Sequence, residues 1–370
     1  MYSQNELDDA VAAGAISAEA AASLRNFIES QRASPAVDEE QFRLITGFND
    51  IFVSIATVIL LVAVGWIGQW LGQSLGTAIE GEGPSFLAPA AVAATSWGLA
   101  LFFTAKRRMA LPSILLLLAF VGALFATAAF ALIPIIGTEA LDNNAQLAGM
   151  LASVSGLVAA GGAWLHWRRF RVPITVAAGA AAACAIAVGL LVAALGSNVE
   201  QSRDIVLGFM LVLGIAIFLL AMRWDASDPA RVTRRSDVAF WLHLLAAPMI
   251  VHPVFTLLGL NDGNASILEG LVVILLYIGI GLTALAIDRR ALLVSALAYV
   301  LFALNEMFKQ FGAIELNIAL TALVIGSALL LLSAFWHQAR EAVVRPLPES
   351  LKAKLPVLDR AAAVASQPAA

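Results

Sequence analysis

The basic residues of this chain lie on alternate sides of ten apolar segments, and this alternation constrains the fold more than any single motif does. Twenty of the 22 Lys and Arg residues follow the pattern, with Arg203 and Lys309 as the two exceptions. Because Lys and Arg are retained on the cytoplasmic side of membrane proteins, the pattern places both termini in the cytoplasm and every second connection outside. The sequence therefore predicts an all-α polytopic membrane helix bundle with about ten transmembrane helices.

The composition leads to the same class of protein. The chain is 61% hydrophobic and 13% charged, with a mean hydropathy of +0.87, whereas soluble domains are roughly 45–50% apolar and about 25% charged. A helix needs about 20 apolar residues to cross the hydrocarbon core, because its backbone amides must be paired within the segment. The ten predicted spans cover residues 51–72, 86–105, 112–133, 146–167, 173–195, 204–222, 238–259, 267–287, 291–308 and 314–336.

Three regions are predicted along the chain. Residues 1–47 form a cytoplasmic amphipathic helical hairpin with a linker, residues 48–337 the ten-span domain, and residues 338–370 a flexible cytoplasmic tail. In the hairpin, Gly14 closes a first helix and Ser17 caps a second. Its apolar face is too narrow for a core of its own, so we expect it to dock on a cytoplasmic protein or on a second copy of the chain. The first fifty residues are polar, which predicts no cleavable signal peptide.

The hairpin also carries a family resemblance. The run from Gly14 to Ala20 reads Gly-Ala-Ile-Ser-Ala-Glu-Ala and is followed by Leu24, Ile28 and the multi-span region. In this it resembles the bacterial membrane proteins that contain "domain of unknown function 2157". The resemblance implies a multi-pass protein of the bacterial inner membrane, and it implies no particular reaction.

Polar residues of the last four spans are the candidate site. Ionisable side chains inside membrane spans are costly, so each marks a functional site by default. The predicted topology brings a set of them toward the outer leaflet: His252, Glu269, Asn305, Glu306 and Glu315. These groups suit a proton relay, a divalent cation of unknown identity or a cationic substrate. As one site, His252, Glu269 and Glu306 should lie within about 8 Å of one another, since a lone carboxylate in hydrocarbon needs partners.

A second interpretation explains the same residues without a site. Glu269 and Glu315 stand near helix N-termini, where the helix dipole favours acids, and Glu306 can pair with Lys309 one turn away. His243 lies one turn from the basic boundary, where water can solvate it. Nine residues separate His243 from His252, which is about 13 Å along a helix, so the two cannot share an ion.

Glycines at the outer end of the first span indicate close helix packing. Gly65, Gly68, Gly72 and Gly76 leave room for a neighbouring helix, because a residue without a side chain lets two backbones approach.

Several classes of function are not expected. Cys184 is the single cysteine, which excludes an intrachain disulfide and a thiolate metal cluster. The sequence has no phosphate-binding glycine loop followed by Lys and no nucleophile elbow, so we expect neither a soluble-type enzyme nor a cofactor. The net charge of −4 argues against nucleic acid as a partner.

Two functions remain open. In the first, the bundle lies in the lipid bilayer and transports a small solute or a lipid-like molecule, with spans seven to ten forming the site. In the second, it is a non-catalytic membrane scaffold or sensor whose cytoplasmic hairpin binds a partner. Solute flux in vesicles, with and without Glu306 and His252, separates the two.

Overall fold

The computed structural model describes residues 11–24, 48–199, 201–229, 231, 233–259, 267–310, 316–352 and 355–358. Within the described residues the regular structure is helical. The helices are α1 (Phe48–Ser74), α2 (Leu87–Phe103), α3 (Ala110–Ile136), α4 (Thr138–Asp142), α5 (Ala145–Phe170), α6 (Ile174–Leu195), α7 (Arg203–Ala226), α8 (Arg234–Leu257), α9 (Ile267–Ile287), α10 (Ala291–Gln310), α11 (Asn317–Ala334), α12 (Trp336–Val344) and α13 (Glu349–Lys352).

A helix occupies each of the ten segments that the sequence predicts as spans. Among the described residues, seven helices are long and apolar enough to cross a membrane, namely α1, α3 and α5 to α9. The pair α11 and α12, bent by 76° at Phe335, makes an eighth if it is one span. The helix α2 has 17 residues, and α10 contributes a shorter apolar stretch, Leu292–Leu301. The all-helical fold and its membrane-crossing helices agree with the sequence prediction at this coarser level.

The helices of the bundle, which belongs to the compact unit Leu44–Leu358, pack mostly on their neighbours in the chain. On the N-terminal side α1 packs on α2, α2 on α3, α3 on α5 and α5 on α6. On the C-terminal side α7 packs on α8, α8 on α10, and α10 on both α9 and α11. The helix α8 also contacts α6, and half of its most apolar window is buried, the largest fraction among the seven spans. It is therefore the central helix of the C-terminal half.

Glycines set the distance between α5 and α6. A Cβ atom added at Gly149 would lie 2.5 Å from the backbone N of Ala193 and 2.5 Å from the carbonyl oxygen of Gly189. One added at Gly189 would lie 2.5 Å from the Oγ of Ser153. The two backbones are thus in direct contact, and the hydroxyl of Ser153 donates across the interface to the carbonyl oxygen of Ile186 at 3.2 Å.

The predicted glycine stripe of the first span lies against the start of α2. A Cβ atom at Gly68 would lie 2.7 Å from the carbonyl oxygen of Leu87, and one at Gly72 would overlap Ser85. Gly65 faces Val92 at 3.3 Å.

Gly76 differs from the other three glycines. It lies beyond the end of α1 with φ = +69°, and a Cβ atom there would meet nothing within 4 Å. Its role is to let the chain turn back, not to pack a helix, because a positive φ is easily adopted by glycine alone.

The structure describes part of the predicted N-terminal hairpin and part of the predicted C-terminal tail. In the N-terminal stretch 11–24, Gly14 has φ = +71° and the Oγ of Ser17 accepts a bond from the amide of Ala20 at 3.0 Å, as expected for a turn and a helix cap. Beyond residue 337 the chain continues as α12 and α13, and Pro356 and Val357 contact the bundle. Trp336, Arg340 and Val344 are buried on α12.

Candidate functional site

The structure describes two of the five residues of the predicted outer site. His252 is exposed, and its Nδ1 lies 2.7 Å from the hydroxyl of Tyr299 on α10. Asn305 is half-buried on α10. Glu269 and Glu306 belong to α9 and α10, but their side chains, like the whole of Glu315, lie outside the described residues. The shared site of these residues therefore stays a prediction.

A cavity lies elsewhere, between α7, α8, α9 and α10. Its volume is about 540 Å³. The residues that line it are Phe218, Ala247, Ile250, Val251, Val272, Leu275, Leu276, Gly279, Ile280, Thr283 and Leu292. Thr283 is the one polar side chain in this set, and neither His252 nor Asn305 belongs to it. The cavity lies between the predicted spans six to nine, so it shares three of the four spans of the predicted site, and its wall is apolar where the sequence predicts polar groups.

A buried ionic network lies at one end of the helices α7 to α10. This is the end at which the basic connections, α7–α8 and α9–α10, are found. Its first centre is Asp225, in the last turn of α7, whose side chain is 1% exposed. The guanidinium of Arg289 donates to both carboxylate oxygens, from Nη2 at 2.5 Å and from Nε at 3.2 Å. The Nε2 of His243 on α8 lies 3.0 Å from Oδ2. Arg289 also donates to the carbonyl oxygen of Ser236, so this centre joins α7, α8 and the turn after α9.

The second centre is Asp288, which is 2% exposed. It accepts from Nη1 of Arg231 at 2.8 Å and from the indole Nε1 of Trp336 at 2.8 Å. Arg340 approaches the same carboxylate, with Nε 3.9 Å from Oδ1, and donates from Nη2 to the carbonyl oxygen of Pro356 at 2.6 Å. The network thus extends from the connection between α7 and α8 to α12 and the segment that follows it.

The local backbone explains how two of these residues reach the network. Asp288 has φ = +56° and Arg231 has φ = +54°, values that side-chain-bearing residues rarely adopt. The amide of Asp288 donates to the carbonyl oxygen of Leu285, and that of Arg289 donates to the carbonyl oxygen of Ala284. The left-handed residue follows the end of α9, and there Asp288 accepts from Arg231 while the next residue, Arg289, donates to Asp225. Such a conformation costs about 1–3 kcal/mol and persists because its surroundings hold it.

Sequence reasoning missed this network. It assigned Arg231, Arg289 and Arg340 to topology alone, and it left His243 as a solvated residue, whereas His243 is 0% exposed. The positions of two aspartates could have indicated the network. Asp225 and Asp288 stand among basic residues on the side that attracts positive charge, and Asp288 directly precedes Arg289. Acids at such positions are candidates for partners of the neighbouring arginines.

Comparisons with protein-family models, with curated proteins and with solved structures find no match. The resemblance to the "domain of unknown function 2157" proteins stays a prediction, carried by Gly14 to Ala20 and Leu24. The class of protein follows from the fold itself: an all-helical bundle whose long apolar helices are those of a multi-pass membrane protein.

Proposed function

We propose that the chain is a ten-span protein of the bacterial inner membrane with both termini in the cytoplasm. Two observations support this proposal. The basic residues alternate along the sequence, and a helix stands at each of the ten predicted segments. On this topology the Asp225 and Asp288 centres lie on the cytoplasmic side.

Reporter fusions test the topology. Fusions after residues 82, 142, 198, 262 and 311 should score as external, and fusions after residues 108, 170, 232, 290 and 345 as internal. The measurement is the activity of a reporter that works on one side of the membrane only. Two adjacent fusions on the wrong side would remove a pair of spans from the topology.

We propose further that the bundle binds a lipid-like molecule in the cavity between α7 and α10 and moves it within or across the bilayer. The observation that carries this proposal is the apolar wall of a cavity of about 540 Å³. A polar solute would lose its hydrogen bonds to water there, and among the lining side chains only the hydroxyl of Thr283 could replace them. An acyl or isoprenoid chain that enters from the bilayer has no hydration to lose. Leu275, Gly279 and Thr283 are exposed along one face of α9, so the cavity opens beside that helix.

Gly279→Phe tests whether the cavity is the site. Gly279 lines the cavity and a Cβ atom there meets nothing within 4 Å, so an aromatic side chain can fill the space without displacing a helix. We expect cross-linking of a photoactivatable phospholipid to the α8–α9 region to fall about tenfold, which corresponds to about 1.4 kcal/mol. The measurement is the labelled fraction of purified protein in phospholipid vesicles, located by peptide mapping.

Gly326→Phe is the matched control, because Gly326 on α11 also has open space and does not line the cavity. Lipid or solute flux in the same vesicles distinguishes the two candidate sites, which are the outer polar site of His252 and Glu306 and the apolar cavity. If His252→Gln and Glu306→Gln abolish flux while Gly279→Phe does not, the outer polar site is correct and the cavity is not. If none of the variants changes labelling or flux, the scaffold interpretation is the better one.

A further inference from the structure

The hydrogen bonds around Asp225 determine the tautomer of His243. The carboxylate is ionised beside Arg289 and can only accept, so the Nε2 atom of His243 must carry the hydrogen of their 3.0 Å bond. The neutral ring then leaves a bare lone pair on Nδ1. This atom is buried and has no hydrogen-bond partner among the described residues. A buried lone pair on an imidazole is a proton acceptor that the surrounding structure has left unused.

The network holds the buried guanidiniums of Arg231, Arg289 and Arg340 and the buried carboxylates of Asp225 and Asp288. A proton on His243 adds one positive charge to these groups. This ring is therefore a group whose titration changes the charge of the network.

His243 is also next to the cavity. The ring of Phe218 packs edge-on against the imidazole with centroids 5.2 Å apart, and the same Phe218 lines the cavity. Ala247, one turn after His243 on α8, is a second lining residue. A movement of Phe218 therefore alters the cavity wall and the surroundings of the imidazole together.

We propose that Nδ1 of His243 is a proton-binding site, and that its protonation displaces Phe218 and so changes the occupancy of the cavity. The proton comes from water on the side of the basic connections and binds the Nδ1 lone pair, while the Nε2–H bond to Asp225 is kept. The new Nδ1–H is a donor in a place where the described residues offer no acceptor, so water must enter or the ring must move, and Phe218 packs against that ring. The part concerning the cavity rests on the proposed function.

Charged and titratable groups lie on α8, in the network and on the helix α6, which packs against α8. They are Asp225 on α7, Asp228 and Arg231 in the α7–α8 connection, half-buried Asp237 on α8, Asp288 and Arg289 after α9, Arg340 on α12, and Cys184 on α6. Among these, Asp225 is the hydrogen-bond partner, and the same carboxylate binds Arg289.

Nitrogen NMR of the full-length protein, labelled with ¹⁵N-histidine, tests proton binding directly. The chain has four histidines, so the His243 signal is assigned by its loss in His243→Gln or, if that variant does not fold, by exclusion with His166, His252 and His337 variants. At alkaline pH we expect the Nε2–H tautomer. On acidification the Nδ1 signal should move to the protonated position, with the protonated-to-neutral ratio rising about tenfold per pH unit. An Nδ1 signal that stays unprotonated from about pH 8 to about pH 5, across the ordinary range of histidine, overturns the proposal.

Cross-linking of the photoactivatable phospholipid at the two ends of that pH range tests the link to the cavity. Labelling of the wild type should change with pH, and labelling of His243→Gln and of Phe218→Ala should not, while His337→Gln, at an exposed residue of α12, keeps the wild-type response. A pH response that survives in His243→Gln overturns the link. If no lipid is cross-linked at any pH while Nδ1 still titrates in the spectra, the proposed function fails and the proton site stands.

Discussion

Replacement of Asp225 by leucine is expected to destabilise the bundle by about 3–5 kcal/mol, because it leaves the buried guanidinium of Arg289 without its carboxylate. The same change removes the acceptor of the His243 bond. The measurement is thermal unfolding of the purified protein in detergent, together with the amount of protein that accumulates in membranes.

Asp204→Leu is the matched control for this prediction. Asp204 lies in the first turn of the same helix, α7, but is exposed, so its loss should cost less than about 1 kcal/mol. The double variant Asp225→Leu, Arg289→Leu should lose less free energy of unfolding than the two single variants lose together. The reason is that the double variant leaves neither charge of this pair buried without its partner. Strictly additive losses would contradict the coupling of the two side chains.

The second large effect is expected at the contact between α5 and α6. Gly149→Val places a branched side chain where a Cβ atom already comes within 2.5 Å of backbone atoms of Gly189 and Ala193. Neither backbone atom can move aside unless the helices separate, so we expect a loss of about 1–3 kcal/mol or more and lower accumulation in membranes. Thermal unfolding in detergent measures the loss.

Gly161→Val separates this packing effect from helix propensity. Gly161 lies on the same helix, and a Cβ atom there meets nothing within 4 Å. The two substitutions are chemically identical, so only the neighbours differ. An equal destabilisation by both would show that the close approach of α5 and α6 contributes nothing beyond propensity.

The helices could be predicted from the sequence because an apolar segment of the length of a span is recognised from consecutive residues alone. Ten apolar segments gave ten helical positions, within a few residues at most ends, for instance α5 (Ala145–Phe170) against 146–167. The bend at Phe335 and the helix α12 were not predicted, because Trp336 and Arg340 there contact Asp288, which is far away in the sequence.

The site was harder to predict, for a related reason. His243 and Asp225 are 18 residues apart, and Asp225 and Arg289 are 64 apart, so their pairing depends on how helices pack and not on any spacing. The position of arginines beside membrane spans is also explained by the topology alone, because basic residues are retained on the cytoplasmic side. A structural role of the same arginines is therefore not visible in the sequence. The apolar cavity has no sequence signature at all, because its lining residues resemble any residues that face lipid.

The separation of Asp225 from Arg289 in the chain sets an order on biogenesis. When α7 leaves the ribosome, Arg289 has not been synthesised, because it lies 64 positions after Asp225 in the chain. Until then the carboxylate must remain hydrated at the membrane surface, because an ionised group without a partner is too costly in hydrocarbon. We therefore expect the hairpin of α7 and α8 to reach its final depth after the turn behind α9 has been synthesised, so that a later part of the chain completes the insertion of an earlier one.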